Sequence, residues 1–99
     1  MQLQFGECVF DSDSRRLTRG AEPVHLEPKA FELLELLLER RPAAVAKAGI
    51  HDRLWPRTFV SESSLTTLVA QLRKALGDGP KKPRWIRTVH GYGYAFRNG

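Results

Sequence analysis

The stretch that decides the fold is SESSLTTLVAQLRKALGDG, residues 61–79. Apolar residues recur along it every three or four positions, which predicts a helix with one buried stripe. Ser61 precedes the helix as its N-cap, Glu62 favours the positive end, and Gly77 ends it. The predicted buried stripe consists of Leu65, Leu68, Val69, Leu72 and Leu76.

The opposite stripe of this helix carries no acidic residue after Glu62. An ordinary surface helix interleaves acids with bases, whereas hydroxyls, an amide and basic side chains suit the major groove of DNA, where they reach phosphates and base edges. A merely solvated surface is the competing interpretation. The outward residues are Thr66, Thr67, Ala70, Arg73 and Lys74, with Ser63, Ser64 and Gln71 beside them.

Two more helices precede this one. EPKAFELLELLLERRP, residues 27–42, predicts a helix buried on much of its circumference, with Pro28 in its first turn and Pro42 beyond its end. AKAGIHDRLWP, residues 46–56, predicts a shorter helix that Pro56 ends. Gly49 weakens this helix by about 1 kcal/mol relative to alanine, so it depends on tertiary packing.

Short strands flank the helices. LQF, CVF, RRLT and PVHL, at residues 3–5, 8–10, 15–18 and 23–26, predict four strands of a small antiparallel sheet. RWIRTVHGYGYAFRNG, residues 84–99, predicts a hairpin that Gly91 and Gly93 allow to turn, after a linker at residues 78–84 that contains two lysines.

This order of elements predicts an α+β winged helix-turn-helix. A four-stranded N-terminal sheet would occupy residues 1–27, a three-helix core residues 28–77, and a β-hairpin wing residues 84–97. Ninety-nine residues fit a single domain spanning 1–99.

The positive charge is concentrated in one half of the chain. Residues 1–50 carry seven basic and eight acidic residues, a net of −1, and residues 51–99 carry nine and three, a net of +6. Such a half fits a polyanion such as nucleic acid and fits a solvated basic surface equally well. With one cysteine, no long apolar run and no leader-like start, the sequence predicts a soluble cytoplasmic protein without internal disulfides.

Three separated segments resemble the OmpR/PhoB-type DNA-binding effector domain, and the similarity runs from Phe5 to Phe96. They are LEPKAFELLELLLERRPAAVAKAGIHDRLWP (26–56), LTTLVAQLRKALGD (65–78) and IRTVHGYGYAF (86–96). The most specific pieces are Trp55 closing the second helix, LRKALGD ending the third, and the wing pattern RTV-x-G-x-GY.

The resemblance implies sequence-specific binding of double-stranded DNA by a bacterial transcriptional regulator, with no enzymatic activity, cofactor, metal or membrane contact. Helix 61–76 would enter the major groove and wing 84–97 would reach the neighbouring minor groove. Loop 56–62 would touch RNA polymerase, and two domains would bind direct repeats head-to-tail. Most members carry a preceding phosphorelay receiver, which these residues lack, so we expect either an excised domain or a stand-alone regulator.

The resemblance also assigns residues. Ser63 and Ser64 correspond to phosphate-gripping positions, and Trp55 and Thr88 to positions that contact the DNA backbone. Many members have arginines at positions 70, 71 and 90, so we expect weaker binding here, and binding that rises at lower pH where a histidine is protonated. The predicted DNA-binding residues are Trp55, Ser63, Ser64, Thr66, Thr67, Ala70, Gln71, Arg73, Lys74, Arg87, Thr88, His90 and Tyr92.

Other functions are less well supported by the sequence. No arrangement of Cys8 with a histidine and an acid suggests catalysis, and GYGY lacks the lysine and the strand–loop–helix context of a phosphate loop. RNA binding would need aromatic stacking residues beyond the wing. The main alternative is a winged-helix protein-interaction module with weak or no DNA binding, which the missing arginines favour and the basic half opposes.

Overall fold

The computed structural model describes residues 1–79 and 83–97, so the two lysines of the predicted linker lie outside the described residues. Its N-terminal part is an antiparallel sheet in the order β1-β2-β3-β4. Phe5, Phe10 and Leu17 are buried on one face, which covers the core. The strands are β1 (Gln2–Phe5), β2 (Cys8–Asp11), β3 (Arg16–Arg19) and β4 (Glu22–Pro23).

The fourth strand is shorter than the sequence predicts and starts earlier than residues 23–26. Only Glu22 and Pro23 pair with β3. The Val24 N–H still donates to the Leu17 carbonyl of β3 at 2.8 Å, and the chain then leaves the sheet to reach the first helix. The side chains of Val24 and Leu26 pack, partly buried, against the core.

The first helix, α1 (Pro28–Arg40), confirms the wide apolar face. Pro28 occupies its first turn, as predicted, where a missing N–H is harmless. The rings of Phe10 and Phe31 stack with centroids 4.9 Å apart and join the N-terminal sheet to α1. The buried residues of α1 are Ala30, Phe31, Leu33, Leu34, Leu36, Leu37 and Leu38.

The second helix, α2 (Lys47–Leu54), follows a strand that the sequence does not reveal. Ile50 and Leu54 are fully buried, which confirms the predicted i, i+4 pair. The extra strand, β5 (Val45–Ala46), is two residues long and therefore shows no alternation of polar and apolar residues.

The third helix, α3 (Glu62–Leu76), begins and ends where the sequence predicts. Ser61 occupies the N-cap position, but its hydroxyl bonds the Ser63 hydroxyl at 2.8 Å and makes no capping hydrogen bond. Gly77 ends the helix in the left-handed conformation, with a φ of 77° that glycine adopts without steric strain. All five residues of the predicted stripe are buried.

The C-terminal hairpin consists of β6 (Ile86–Val89) and β7 (Gly93–Phe96) and joins β5 in a three-stranded sheet of order β5-β7-β6. Trp85, Ile86 and Phe96 are buried, as predicted, and fix the hairpin to the core. We call the hairpin, residues 84–97, the wing. Three helices with antiparallel sheets of four and three strands make a winged helix-turn-helix, and no helix of the described residues could span a bilayer.

The two wing glycines have different roles, which corrects the prediction that both serve the turn. Gly91 is in the turn, with a φ of 73°. Gly93 is a buried strand residue paired with Ala46. A Cβ at Gly93 would lie 1.9 Å from the Val45 carbonyl oxygen, so this glycine permits the close approach of β5.

Candidate nucleic-acid interface

The outer face of α3 is open to solvent over its whole length. After Glu62 the exposed side chains of the helix are hydroxylic, small, amide or basic, and none is acidic. Hydroxyl, amide and ammonium groups bond phosphate oxygens and base edges. We define the outer face as the exposed residues Ser63, Thr66, Thr67, Ala70, Gln71 and Lys74.

The beginning of α3 combines serine hydroxyls with a neutralised acid. Ser64 is half-buried, and its hydroxyl lies 3.4 Å from that of Ser61. The Lys47 ammonium donates a hydrogen bond to Glu62 Oε1 at 2.7 Å across the gap between α2 and α3. This bond lowers the pKa of the Glu62 carboxyl below its ordinary value, and its carboxylate raises the pKa of Lys47. The acidic side chain in the first turn of α3 is therefore paired with a cation.

Arg73 does not lie on the open outer face, which corrects its predicted placement. Its side chain is half-buried, and Nε and Nη2 donate to the Ile86 carbonyl oxygen at 3.1 and 2.9 Å. Nη2 also donates to Thr88 Oγ1 at 2.9 Å, and the guanidinium carbon lies 5.9 Å from the centre of the Tyr94 ring. The side chain joins α3 to the wing, and direct contact of Arg73 with DNA stays a prediction.

Asp78 anchors the start of the wing, a role that the sequence did not indicate because residues 78–84 are predicted to be a linker. Its carboxylate accepts the backbone N–H groups of Arg84, Trp85 and Ile86 at 3.0–3.1 Å. The residue is 9% exposed. The residue directly after the C-cap of α3 therefore fixes the position at which β6 starts.

The wing presents its turn and one edge to solvent. His90 and Tyr92 lie in the turn, and Tyr92 is 50% exposed. On β6, Arg87 is exposed and Thr88 is half-buried against Arg73. The backbone N–H of Lys47 donates to the Tyr92 carbonyl at 2.9 Å and ties the turn to the start of α2.

The predicted residue Trp55 lies apart from the outer face. It is the C-cap of α2, half-buried, with its ring 5.3 Å from that of His51. An open cleft between α2 and α3 brings Trp55 near Glu62 and the loop between these helices. In that loop Phe59 is 98% exposed, a feature that no periodicity in the sequence could have indicated.

Lys47 is the other residue that sequence reasoning missed. Fifteen positions separate it from Glu62, and neither residue belongs to a motif that links them.

Among residues 1–79 and 83–97, no group of three or more His, Cys, Asp and Glu side chains is placed to hold a metal ion. The chemistry of the interface is that of hydrogen-bond donors and cations.

Comparison with known sequences gives consistent matches. The family model "Transcriptional regulatory protein, C terminal" matches residues 21–96. The chain is 35% identical over 96 residues to the transcriptional regulatory protein TrcR of Mycobacterium tuberculosis, and 35% identical over 95 residues to AruR of Pseudomonas aeruginosa. These alignments cover 96% and 94% of this chain but only 37% and 39% of the relatives. The chain thus spans well under half the length of these relatives.

Comparison with solved structures agrees. The DNA-binding domain of RstA from Klebsiella pneumoniae, solved in complex with the RstA box, superposes with a TM-score of 0.86 at 27% identity, covering 97% of this chain and 96% of that one. DrrB of Thermotoga maritima, an OmpR/PhoB homologue, gives a TM-score of 0.90 at 30% identity, covering 98% and 44%.

The family model covers residues 21–96, the matched relatives and structures cover nearly all of the chain, and the winged-helix architecture found above is common to these structures. The family consists of DNA-binding domains of transcriptional regulators and is not enzymatic. The chain therefore belongs to the transcriptional regulatory protein C-terminal family, the OmpR/PhoB-type winged-helix effector domains.

Proposed function

We propose that this domain binds double-stranded DNA, with α3 in the major groove and the turn of the wing at the neighbouring minor groove. The observation that carries the proposal is the acid-free outer face of α3, which is exposed along the whole helix. Thr66, Thr67 and Gln71 would read base edges from this face, and Lys74 would bind a phosphate.

The start of α3 supports a phosphate contact. A helix N-terminus attracts anions through its backbone N–H groups and its dipole, and Ser63 and Ser64 add hydroxyl donors there. Glu62 would oppose a phosphate, but Lys47 compensates its charge. We therefore place one strand of the DNA across the first turn of α3.

The wing would supply the second contact. Arg87 is an exposed cation on β6, and His90 and Tyr92 lie at the exposed turn. Trp55 and Thr88 are proposed as backbone contacts on the strength of the family resemblance. We expect a modest DNA affinity, because alanine, glutamine and histidine occupy positions 70, 71 and 90, where many family members have arginines. Pairing of two domains on direct repeats would raise this affinity.

A salt titration of labelled duplex DNA tests the proposal. Each phosphate neutralised releases counterions and contributes about −0.9 to the slope of log affinity against log salt, so we expect a slope of roughly −3 to −5. Lys74→Ala should reduce that slope by about 1. Arg16→Ala removes an exposed cation of the N-terminal sheet and is the matched control, with no change expected.

Sequence selection from a random duplex pool completes the experiment. We expect one preferred site, bound by two domains when the duplex carries it as a direct repeat. If neither random nor selected duplexes bind at low salt, the DNA-binding function is wrong and the protein-interaction alternative is favoured.

A second role, contact with RNA polymerase through loop 56–62, is supported by one specific feature. Phe59 in this loop is 98% exposed, and its aromatic ring offers apolar area of the kind that protein interfaces bury. Binding of the purified domain to RNA polymerase, with and without Phe59→Ser, measures this contact directly.

A further inference from the structure

The edge of the wing is held by α3 and not by another strand. In the order β5-β7-β6, strand β6 has a single neighbouring strand. Ile86 lies on this edge, with its N–H bonded to Asp78 Oδ2 at 3.0 Å and its carbonyl bonded by Arg73. An edge strand otherwise leaves such backbone groups to water, so the end of α3 takes the place of a further strand.

Arg73 donates hydrogen bonds to two residues of β6. Its guanidinium binds the Ile86 carbonyl through two nitrogens and the Thr88 hydroxyl through Nη2. Both acceptors lie 2.9 Å from Nη2 and belong to residues two apart on the same face of the strand, so the guanidinium holds a backbone atom and a side-chain atom of β6 together. The planar guanidinium can make this pair of contacts, whereas the flexible ammonium of lysine is a single point.

The same contacts connect the two parts of the proposed DNA-binding surface. Arg73 belongs to the helix proposed to enter the major groove, and Thr88 is two residues from His90 in the turn proposed for the minor groove. The next residue, Lys74, is exposed, so neighbouring side chains of α3 point to different surroundings.

We propose that Arg73 is a positioning residue that sets the direction of the wing relative to α3, and that the contribution of the wing to DNA affinity depends on it. This inference rests on the proposed DNA-binding function. It differs from the sequence-based expectation, in which Arg73 contacts the DNA itself. Replacement of Arg73 should reduce the contribution of the wing to DNA affinity, while the base preference of α3 should persist.

A double-mutant cycle between Arg73 and the wing turn tests the proposal. His90→Arg adds a cation at the turn and should raise affinity about five- to ten-fold at low salt, with a slope steeper by about 0.9. In an Arg73→Gln background, His90→Arg should raise DNA affinity less than about two-fold, because the wing is no longer held in a fixed direction relative to α3. Independent sites would instead give the same factor in both backgrounds.

Lys74→Ala is the matched control for the cycle. It removes the adjacent cation of α3 but no bond to the wing, so the full effect of His90→Arg should persist. Thr88→Val removes one of the two anchor points with little change of shape and should reduce the effect part of the way. Thr88→Val also serves where Arg73→Gln lowers the melting temperature too far for binding to be measured.

Amide hydrogen exchange in the free domain gives a readout that does not involve DNA. Exchange of residues 86–96 should accelerate in Arg73→Gln and stay unchanged in Lys74→Ala. An equal His90→Arg factor in all backgrounds together with unchanged exchange overturns the proposal. If the unaltered domain binds no duplex, the proposed function fails, and the exchange experiment alone decides whether Arg73 holds the wing.

Discussion

The carboxylate of Asp78 accepts the backbone N–H of Trp85 with both oxygens, each 3.0 Å from the nitrogen. The same carboxylate binds the N–H groups of the residues on either side, so three consecutive donors converge on one side chain. Trp85 can therefore place its indole against the core, where its ring lies 5.3 Å from that of Phe5 and 5.9 Å from that of Phe96.

Replacing Asp78 should destabilise the domain strongly. Asp78→Ala leaves three backbone donors without their acceptor, at the point where the wing enters the core, and should lower the free energy of unfolding by about 2–4 kcal/mol. The melting temperature should fall by about 10–20 °C. Asp52→Ala, at an exposed position of α2, is the control and should change it little. A small shift in Asp78→Ala would mean that water replaces the carboxylate.

The contact between Gly93 and Val45 predicts opposite effects for two glycine-to-alanine substitutions. Gly93→Ala places a methyl group on the Val45 carbonyl, so β5 must separate from β7, and we expect a loss of about 2 kcal/mol or more. Gly49→Ala, inside α2, meets nothing closer than 3.8 Å and should stabilise the domain by about 0.5–1 kcal/mol. Urea unfolding measures the change in the free energy of unfolding for both variants. Changes of the same sign would contradict the conclusion that Gly93 permits the close approach of β5.

The sequence was sufficient to predict the elements that have a local signature, such as regularly spaced apolar residues or β-forming residues beside glycines. Helices α1, α2 and α3 followed from apolar spacing and from their stop signals, and the open surface of α3 followed from the same periodicity. The wing followed from β-formers around glycines. These features depend on local chemistry, which a single sequence contains.

The features that could not be predicted depend on residues distant along the chain. Strand β5 exists because β7 pairs with it, and Gly93 is required by that pairing. Arg73 occupies a helical position next to the outer face, and only the location of β6 decides that its side chain turns aside. The pair of Lys47 and Glu62 likewise arises from the packing of α2 beside α3.

Removing the charge of Glu62 should raise DNA affinity. In Glu62→Gln the carboxylate near the proposed phosphate site disappears and Lys47 becomes available to DNA, so we expect an increase of about three- to ten-fold at low salt and a steeper salt dependence. Glu39→Gln releases Arg53 from a comparable ion pair at the other end of α2 and is the control. Unchanged affinity in Glu62→Gln would place the DNA away from the start of α3.

The same pair makes a pH-dependent contribution to stability. The hydrogen bond from Lys47 lowers the pKa of Glu62 in the folded state, so the contribution is present above the ordinary carboxyl pKa and fades as pH falls through the lower folded value. Since both side chains are exposed, the effect is small. The difference in melting temperature between the unaltered domain and Glu62→Gln should therefore shrink in acid, and a difference that grows in acid would contradict the pairing.

Phe59 offers the clearest separation of binding to DNA from binding to a protein partner. Its side chain is 98% exposed in the loop between α2 and α3 and has no place in the core, so Phe59→Ser should leave the melting temperature within about 2 °C. DNA affinity should also stay unchanged, whereas binding to RNA polymerase should weaken about ten-fold if the ring is buried in that contact. Thr58→Ala, the adjacent exposed residue, controls for changes in the loop backbone. A loss of DNA affinity in Phe59→Ser would instead place this ring against the duplex and remove the reason to invoke a protein partner.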